Sequence, residues 1–194
     1  MSEDRGANAL SIDHSKDLKF LSFELAGEFY GLDILKIREI NGMLDITSVP
    51  QTPRFMKGLI NLRGKVIPVI DLRLKFGLPE EAYTERTSII VIEFQTIHGP
   101  TQMGILVDRV SEVITINEAD IEDAPDFGSR LRSEYIKGMA KTRNIVLIIL
   151  DIDLILTDED LTFGPRGLAE DEEEGSDVKP QAQADPGGPK PQAQ

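Results

Sequence analysis

The side chains able to do covalent or metal chemistry are few in this chain, and their spacing is poor for it. The two histidines are His14 and His98. His14 lies in a polar stretch, and His98 sits beside Gly99 and Pro100 in an expected turn. Neither has a partner at ligand spacing, so both read as solvated residues rather than catalysts or metal ligands. Cysteine is absent, which excludes disulfides, thiol nucleophiles and thiolate metal sites. There is no Gly-rich phosphate loop and no serine-centred nucleophile elbow. Asp151 and Asp153 flank Ile152. On a strand that spacing puts both carboxylates on one face, where they would suit a cation. A similar stretch, Asp71-Leu72-Arg73, carries arginine in place of the second carboxylate, which favours a structural role at a strand end. So small a supply of acids and bases argues against an enzyme.

The distinctive polar segment runs from Gly58 to Arg73. It reads as a loop, a tight turn and then a strand. Asn61 and Gly64 suit the turn because both tolerate positive φ. Arg63 stands at the turn, where its planar fork can hold a carboxylate bidentately. Glu39 is the candidate partner.

The elements that must position these residues are mostly strands. Phe20 to Leu25, Phe29 to Leu32, Lys65 to Leu72, Ser88 to Phe94, Gln102 to Val107 and Ile145 to Leu150 are rich in β-branched and aromatic residues. Gly27 and Glu28 are expected to turn the chain between the first two. Pro68 favours an edge or a bulge for its strand. Ile34 to Ile40 suits a short helix or a strand equally. Pro53 to Gly58 suits a short helix with a glycine stop. Asn117 to Asp120 reads as a turn. Many short strands punctuated by Gly and Pro point to small barrels or a sandwich.

The chain also repeats itself. Phe55-Met56-Lys57-Gly58-Leu59 matches Tyr135-Ile136-Lys137-Gly138-Met139 at an offset of 80. At the same offset Arg63 falls on Arg143, Val66 on Val146, Asp71 on Asp151 and Leu74 on Leu154. Upstream, Gly31 falls on Gly104, Ile37 on Val110, Glu39 on Glu112 and Ile40 on Val113, at an offset of 73. The stretch between Ile121 and Leu131 absorbs the difference. The core is therefore two copies of one β-rich unit, and the seam between two such units is a natural binding place.

Bulk properties narrow the partners. The formal net charge of −13 repels phosphate backbones, so nucleic acid is not expected. The best apolar run, Ile145 to Leu156, is interrupted by Asp151 and Asp153, so no membrane insertion is expected. Met1 to Asp17 lacks the apolar stretch of a signal peptide, and a cytoplasmic location is the default. Residues 1–16 read as a disordered arm. Residues 164–194, with an acidic run from Glu170 to Glu174 and a Pro/Gln/Ala/Gly stretch, read as a solvated tail.

The stretches Phe29 to Ile40, Pro53 to Gly58, Asn61 to Gly64, Pro68 to Arg73 with Phe76-Gly77, Gly104 to Val113, and Tyr135 to Gly138 resemble the CheW family of chemotaxis coupling proteins. They occur in the family's order, and the resemblance covers about 17–163. It implies an all-β fold with short helices, made of two five-stranded SH3-like β-barrel subdomains. It implies a non-catalytic adaptor, with no cofactor or metal, that couples methyl-accepting chemoreceptors to the histidine kinase CheA in receptor arrays. The partners would be the cytoplasmic receptor tips and the regulatory domain of CheA. Residue-wise carry-over gives a receptor-facing surface of Ile37, Glu39, Gly58, Arg63, Gly104, Val110 and Val113, and no kinase-facing residues. Asn41 to Val49 and the tail depart from the family pattern. Two other readings stay open: a CheW-like regulatory module of a related kinase pathway, and a metal-dependent β-barrel enzyme using Asp151 and Asp153.

Overall fold

β-Branched and aromatic residues recur in short runs between residues 17 and 150, and those runs fold as strands. The computed structural model describes residues 16–97, 99–123, 133–142, 145–156 and 160. The strands are β1 (Asp17–Leu25), β2 (Glu28–Asp33), β3 (Ile37–Gly42), β4 (Met56–Leu62), β5 (Lys65–Asp71), β6 (Ser88–Thr96), β7 (Gly99–Val107), β8 (Arg109–Asn117), β9 (Ile121–Glu122), β10 (Ile136–Thr142) and β11 (Ile145–Leu150). Two four-residue helices, α1 (Leu72–Lys75) and α2 (Ile152–Ile155), follow β5 and β11. The expected arm and tail, together with His14, His98 and Arg143, lie outside the described residues, apart from Lys16.

Local chemistry explains the turns. Ala26-Gly27 and Arg63-Gly64 both have φ near 53° and 84°. Those are the angles of the two-residue hairpin turn whose twist matches the strands it joins. Positive φ thus falls on Arg63 and Gly64. Asn61 stays in β4 and helps by accepting a hydrogen bond from Gly64 N at 2.9 Å. The first hairpin turns at Ala26-Gly27, one residue earlier than expected.

Three expectations change. Pro53 to Gly58 is not a helix: the chain turns at Arg54-Phe55 and β4 begins at Met56. Gly58 lies in a β-bulge at φ 139°, and a Cβ there would collide with the Thr47 carbonyl. Ile34 to Ile40 divides, with a 3-10 turn over Ile34–Lys36 and strand from Ile37. Asp33 caps that turn by accepting from Leu35 N, as side-chain carboxylates do at helix starts. Pro68 lies on an interior strand. Its missing N–H is tolerated because the pairing of β5 with β7 starts only at Val69.

The strands form two curled sheets of the SH3-like barrel type, in the orders β8-β1-β2-β11-β10-β9 and β3-β6-β7-β5-β4. The internal repeats do not coincide with these sheets. The first repeat (β1 to β5) gives its first two strands to one sheet and its last three to the other. The second repeat (β6 to β11) gives its first two strands to the second sheet and its last four to the first. The joints are parallel pairs, β2 on β11 and β5 on β7.

Each barrel has a small interior. One holds Phe20, Ile114, Ile116, Ala140, Leu147 and Ile149. The other holds Ile60, Ile67, Val69, Ile89, Val91 and Leu106. Between them runs a larger apolar layer that includes Leu21, Phe23, Leu32, Ile70, Ile90, Ile92, Phe94 and Ile105. Alternation divides single strands between the two environments: Ile89 and Val91 face a barrel, while Ile90 and Ile92 face the central layer. Burying each such side chain is worth about 1.5–3 kcal/mol.

Asn41 is the odd residue in this scheme. It stands opposite Ile89 on β6, at the position where the second repeat has buried Ile114. Among the described residues its Nδ2 is a buried side-chain nitrogen without a hydrogen-bond partner. A buried unsatisfied donor costs about 1–3 kcal/mol. Asn41→Ile should therefore raise the urea midpoint with an unchanged slope. A lower midpoint would show that the amide is satisfied in solution.

Candidate functional site

The seam between the barrels is where the central apolar layer reaches the surface. It does so along β3 and β8, which stand at the ends of their sheets. Both strands carry a β-bulge at matching repeat positions. Ile37 pairs with Ile92 and Glu39 with Val91, while Val110 pairs with Phe23 and Val113 with Leu21. In β8 the bulge is held by Ser22, whose hydroxyl donates to Glu112 O at 2.7 Å and accepts from Glu112 N at 3.1 Å.

Residues opposite each other on adjacent strands share a face. Ile92, Ile90, Phe23 and Leu21 all belong to the central layer. Ile37, Ile40, Val110 and Val113 therefore lie on that same face. Ile37 and Val110 are half-buried and pack against the layer. Val113 is 49% exposed and Ile40 43%. Exposed β-branched residues on an end strand are a liability unless something covers them. Ile40 was not among the residues expected from sequence. The signal was the repeat itself, which sets Ile40 on Val113.

Glu39 and Arg63 do meet, with Nη2 to Oε1 at 3.0 Å. Glu39 is on β3 and Arg63 on the turn after β4, so the pair joins the two ends of one sheet as it curls. Arg63 is largely exposed, and such a pair is worth at most about 1 kcal/mol. Its value is positional. Gly58 and Gly104 differ from the rest because both are buried. A Cβ on Gly104 would stand 3.0 Å from Ile89 Cγ2 and 3.1 Å from Val69 Cγ2. Its repeat mate Gly31 would crowd Leu147 Cδ2 at 2.9 Å. These glycines let neighbouring strands approach.

Asp151 and Asp153 do not share a strand face. Asp151 caps α2 by accepting from Asp153 N and Leu154 N, and Asp153 Oδ2 pairs with Lys36 at 2.6 Å. Asp71 caps α1 in the same way, accepting from Leu74 N at 3.3 Å. It borders a pocket of about 110 Å³ lined by Arg73, Tyr83, Thr87 and Asp108. Arg73 is committed there to Asp108, to Glu81 at 2.9 Å and to Pro79 O at 3.1 Å. Burial pushes the Asp71 carboxyl above its usual range, against the pull of backbone N–H groups and of Lys57 and Arg73. These ionic groups are bonded to one another and staple the 78–87 segment.

Comparison with known proteins settles what such a molecule is. The family model described as CheW-like domain matches residues 19–160. This chain belongs to that family. It is 41% identical to the chemotaxis protein CheW of Klebsiella aerogenes over 145 residues, covering 75% of this chain and 85% of that protein. It is 35% identical to the CheW of Bacillus subtilis over 141 residues, covering 73% and 88%. Among solved structures, the scaffolding protein TtCheW of Thermoanaerobacter tengcongensis aligns with a TM-score of 0.64 at 38% identity. That match covers 74% of this chain and 90% of the other. No helix among the described residues of this CheW-like chain is long and apolar enough to cross a membrane.

Two outcomes follow from the site's construction. Gly58→Ala should lower the melting temperature by an amount reflecting several kcal/mol, because the residue is both strained and obstructed there. A Gly58 variant with wild-type melting would show the bulge to be adaptable. The second concerns Asp71. Its raised pKa means that the native state binds its proton more tightly than the unfolded chain does, so the charged form costs stability at neutral pH. Asp71→Asn keeps a capping acceptor. It should melt higher than wild type at pH 7, with the gain vanishing as the pH falls toward 3.8. A loss of stability at pH 7 would mean that the Lys57 and Arg73 attractions dominate.

Proposed function

We propose that this chain is a non-catalytic adaptor that couples the cytoplasmic tips of methyl-accepting chemoreceptors to the regulatory domain of a CheA-type histidine kinase. It would work in the cytoplasm, at membrane-bound receptor arrays. The observation that carries the reading is the seam. An apolar layer that could have been closed instead runs out to the surface at Ile37, Val110 and Val113, beside an ion pair that holds the sheet ends. An amphipathic helix needs such an apolar strip with a polar margin. A receptor tip is a helical hairpin, so it presents helices of this kind.

Within this reading the seven residues divide by role. Ile37, Val110 and Val113 would touch the receptor directly, and the Glu39–Arg63 pair would shape one wall. Gly58 and Gly104 would act by keeping the strands close, since both are buried. Similarity to proteins named for chemotaxis, and to one described as a scaffold, supports the same conclusion.

A pull-down with a receptor-tip fragment and with the kinase regulatory domain tests it. Val110→Asp should weaken receptor capture at least tenfold and leave kinase capture nearly unchanged. Arg63→Ala should weaken receptor capture by a smaller factor, because its partner Glu39 is not deeply buried. Failure of the wild-type chain to capture either partner would end the proposal.

A further inference from the structure

Successive side chains of a strand alternate between its two faces, so two residues three positions apart point to opposite sides. Val110 and Val113 are three apart on β8. Yet they stand opposite Phe23 and Leu21, which both belong to the central layer. Two steps along β1 are thus matched by three along β8. That extra residue brings both valines to one face. It also sets the rest of the strand. Ile114 and Ile116 stand opposite Phe20 and Leu18 and fill a barrel. Without the bulge Val110 would take their face and leave the central layer, because a slip of one residue moves a side chain across the sheet.

The chain is fixed on either side of this irregularity. Before it, Asp108 N donates to Glu24 O at 3.1 Å, Asp108 Oδ2 accepts from Ala26 N at 2.8 Å, and Arg109 pairs with Glu24. After it, pairing runs unbroken from Leu21 opposite Val113 to Asp17 opposite Asn117. The backbone pairing skips Ser22, and the serine side chain fills the break. Its hydroxyl donates to Glu112 O at 2.7 Å and accepts from Glu112 N at 3.1 Å. A hydroxyl can do both, as one residue of a ladder does with its own N–H and C=O. Ser22 is only 1% exposed, so the two bonds form away from water.

The other repeat builds its bulge differently. Ser22 stands opposite Gly31 and Val91 opposite Gly104, and those glycines are repeat mates. Val91 therefore holds the place of Ser22. There Glu39 pairs directly with Val91 through the backbone. Val91 is as buried as Ser22, so the fold accepts a β-branched side chain at this position. In β8 a hydroxyl stands where that direct pair would form.

We propose that Ser22 is a positioning residue for receptor binding. By holding Glu112 it fixes the bulge that sets Val110 and Val113 on one apolar strip. Being buried, it touches no partner itself. The inference rests on the adaptor reading above and says what gives that site its register.

The test compares Ser22→Thr with Ser22→Val in the full chain. The two substitutes have nearly the same shape, and a hydroxyl in one is a methyl in the other. Each variant is titrated separately with the receptor-tip fragment and the kinase regulatory domain, and hydrogen exchange at the Glu112 amide is followed in the free protein. Ser22→Thr should bind the receptor tip within twofold of wild type. Ser22→Val should bind it at least fivefold more weakly and the kinase domain within twofold of wild type. Its Glu112 amide should exchange at least tenfold faster, with the Ile114 and Ile116 amides unchanged. Wild-type receptor affinity in Ser22→Val would show that the backbone closes the bulge unaided, as at Val91, and overturns the inference. So does equal loss in both variants, which would make volume decisive and not the hydroxyl. So does equal loss toward both partners, which would mark a general destabilisation. These three results leave the adaptor reading standing. Wild-type protein that binds neither partner ends that reading, and the inference with it.

Discussion

The central apolar layer is the constraint on which the rest of the molecule depends. It takes side chains from strands of both repeats and from both sheets, among them Phe23, Leu32, Ile70, Ile92 and Ile105. Because each repeat gives strands to both barrels, neither barrel can form without residues from the other half of the chain. A row of rings, Phe23, Tyr30, Phe76 and Tyr135, crosses this layer with successive centroids 5.8, 6.1 and 6.3 Å apart. Lys75 on α1 adds a tie: its Nζ lies 4.4 Å from the centre of the Phe55 ring and binds Asp160 at 2.7 Å. Asp160 follows α2, so this buried pair links the ends of the two repeats. Removing either partner would strand a buried charge.

An interleaved body suits a protein whose work is to hold others. The seam between the barrels cannot open without tearing strand pairs, so its shape is fixed before any partner arrives. Charges are committed locally. Arg73, Asp108 and Glu81 staple the 78–87 segment, Glu24 holds Arg109, and Arg38 holds Glu93 at 2.5 Å. The hydrogen bond from Arg38 holds the Glu93 carboxyl below its usual range. Apolar surface stays exposed at the margin of the central layer, at Ile40 and Val113.

Much of this was legible in the residues. The offsets of 80 and 73 predicted matched strands, and the matches extend to bulges at Arg38 and Ser111, caps at Asp71 and Asp151, and close-packed glycines at Gly31 and Gly104. Arg63 at the turn and Glu39 as its candidate partner were legible, and the structure supplies the contact between them. The exchange of strands between repeats was not legible, because periodicity says which face a side chain takes and nothing about which strand lies beside it. Pro53 to Gly58 read as a helix because a glycine stop and a bulge glycine look alike in sequence. Asp151 and Asp153 read as a strand pair because the helix that Asp151 caps, and that contains Asp153, has only four residues.

Interleaving has one thermodynamic signature. If the barrels share a core, the chain must unfold as one body despite having two sheets. Differential scanning calorimetry of the full chain measures this directly. A shared core gives a single transition whose calorimetric and van't Hoff enthalpies agree. Two separable transitions, one for each barrel, would contradict it.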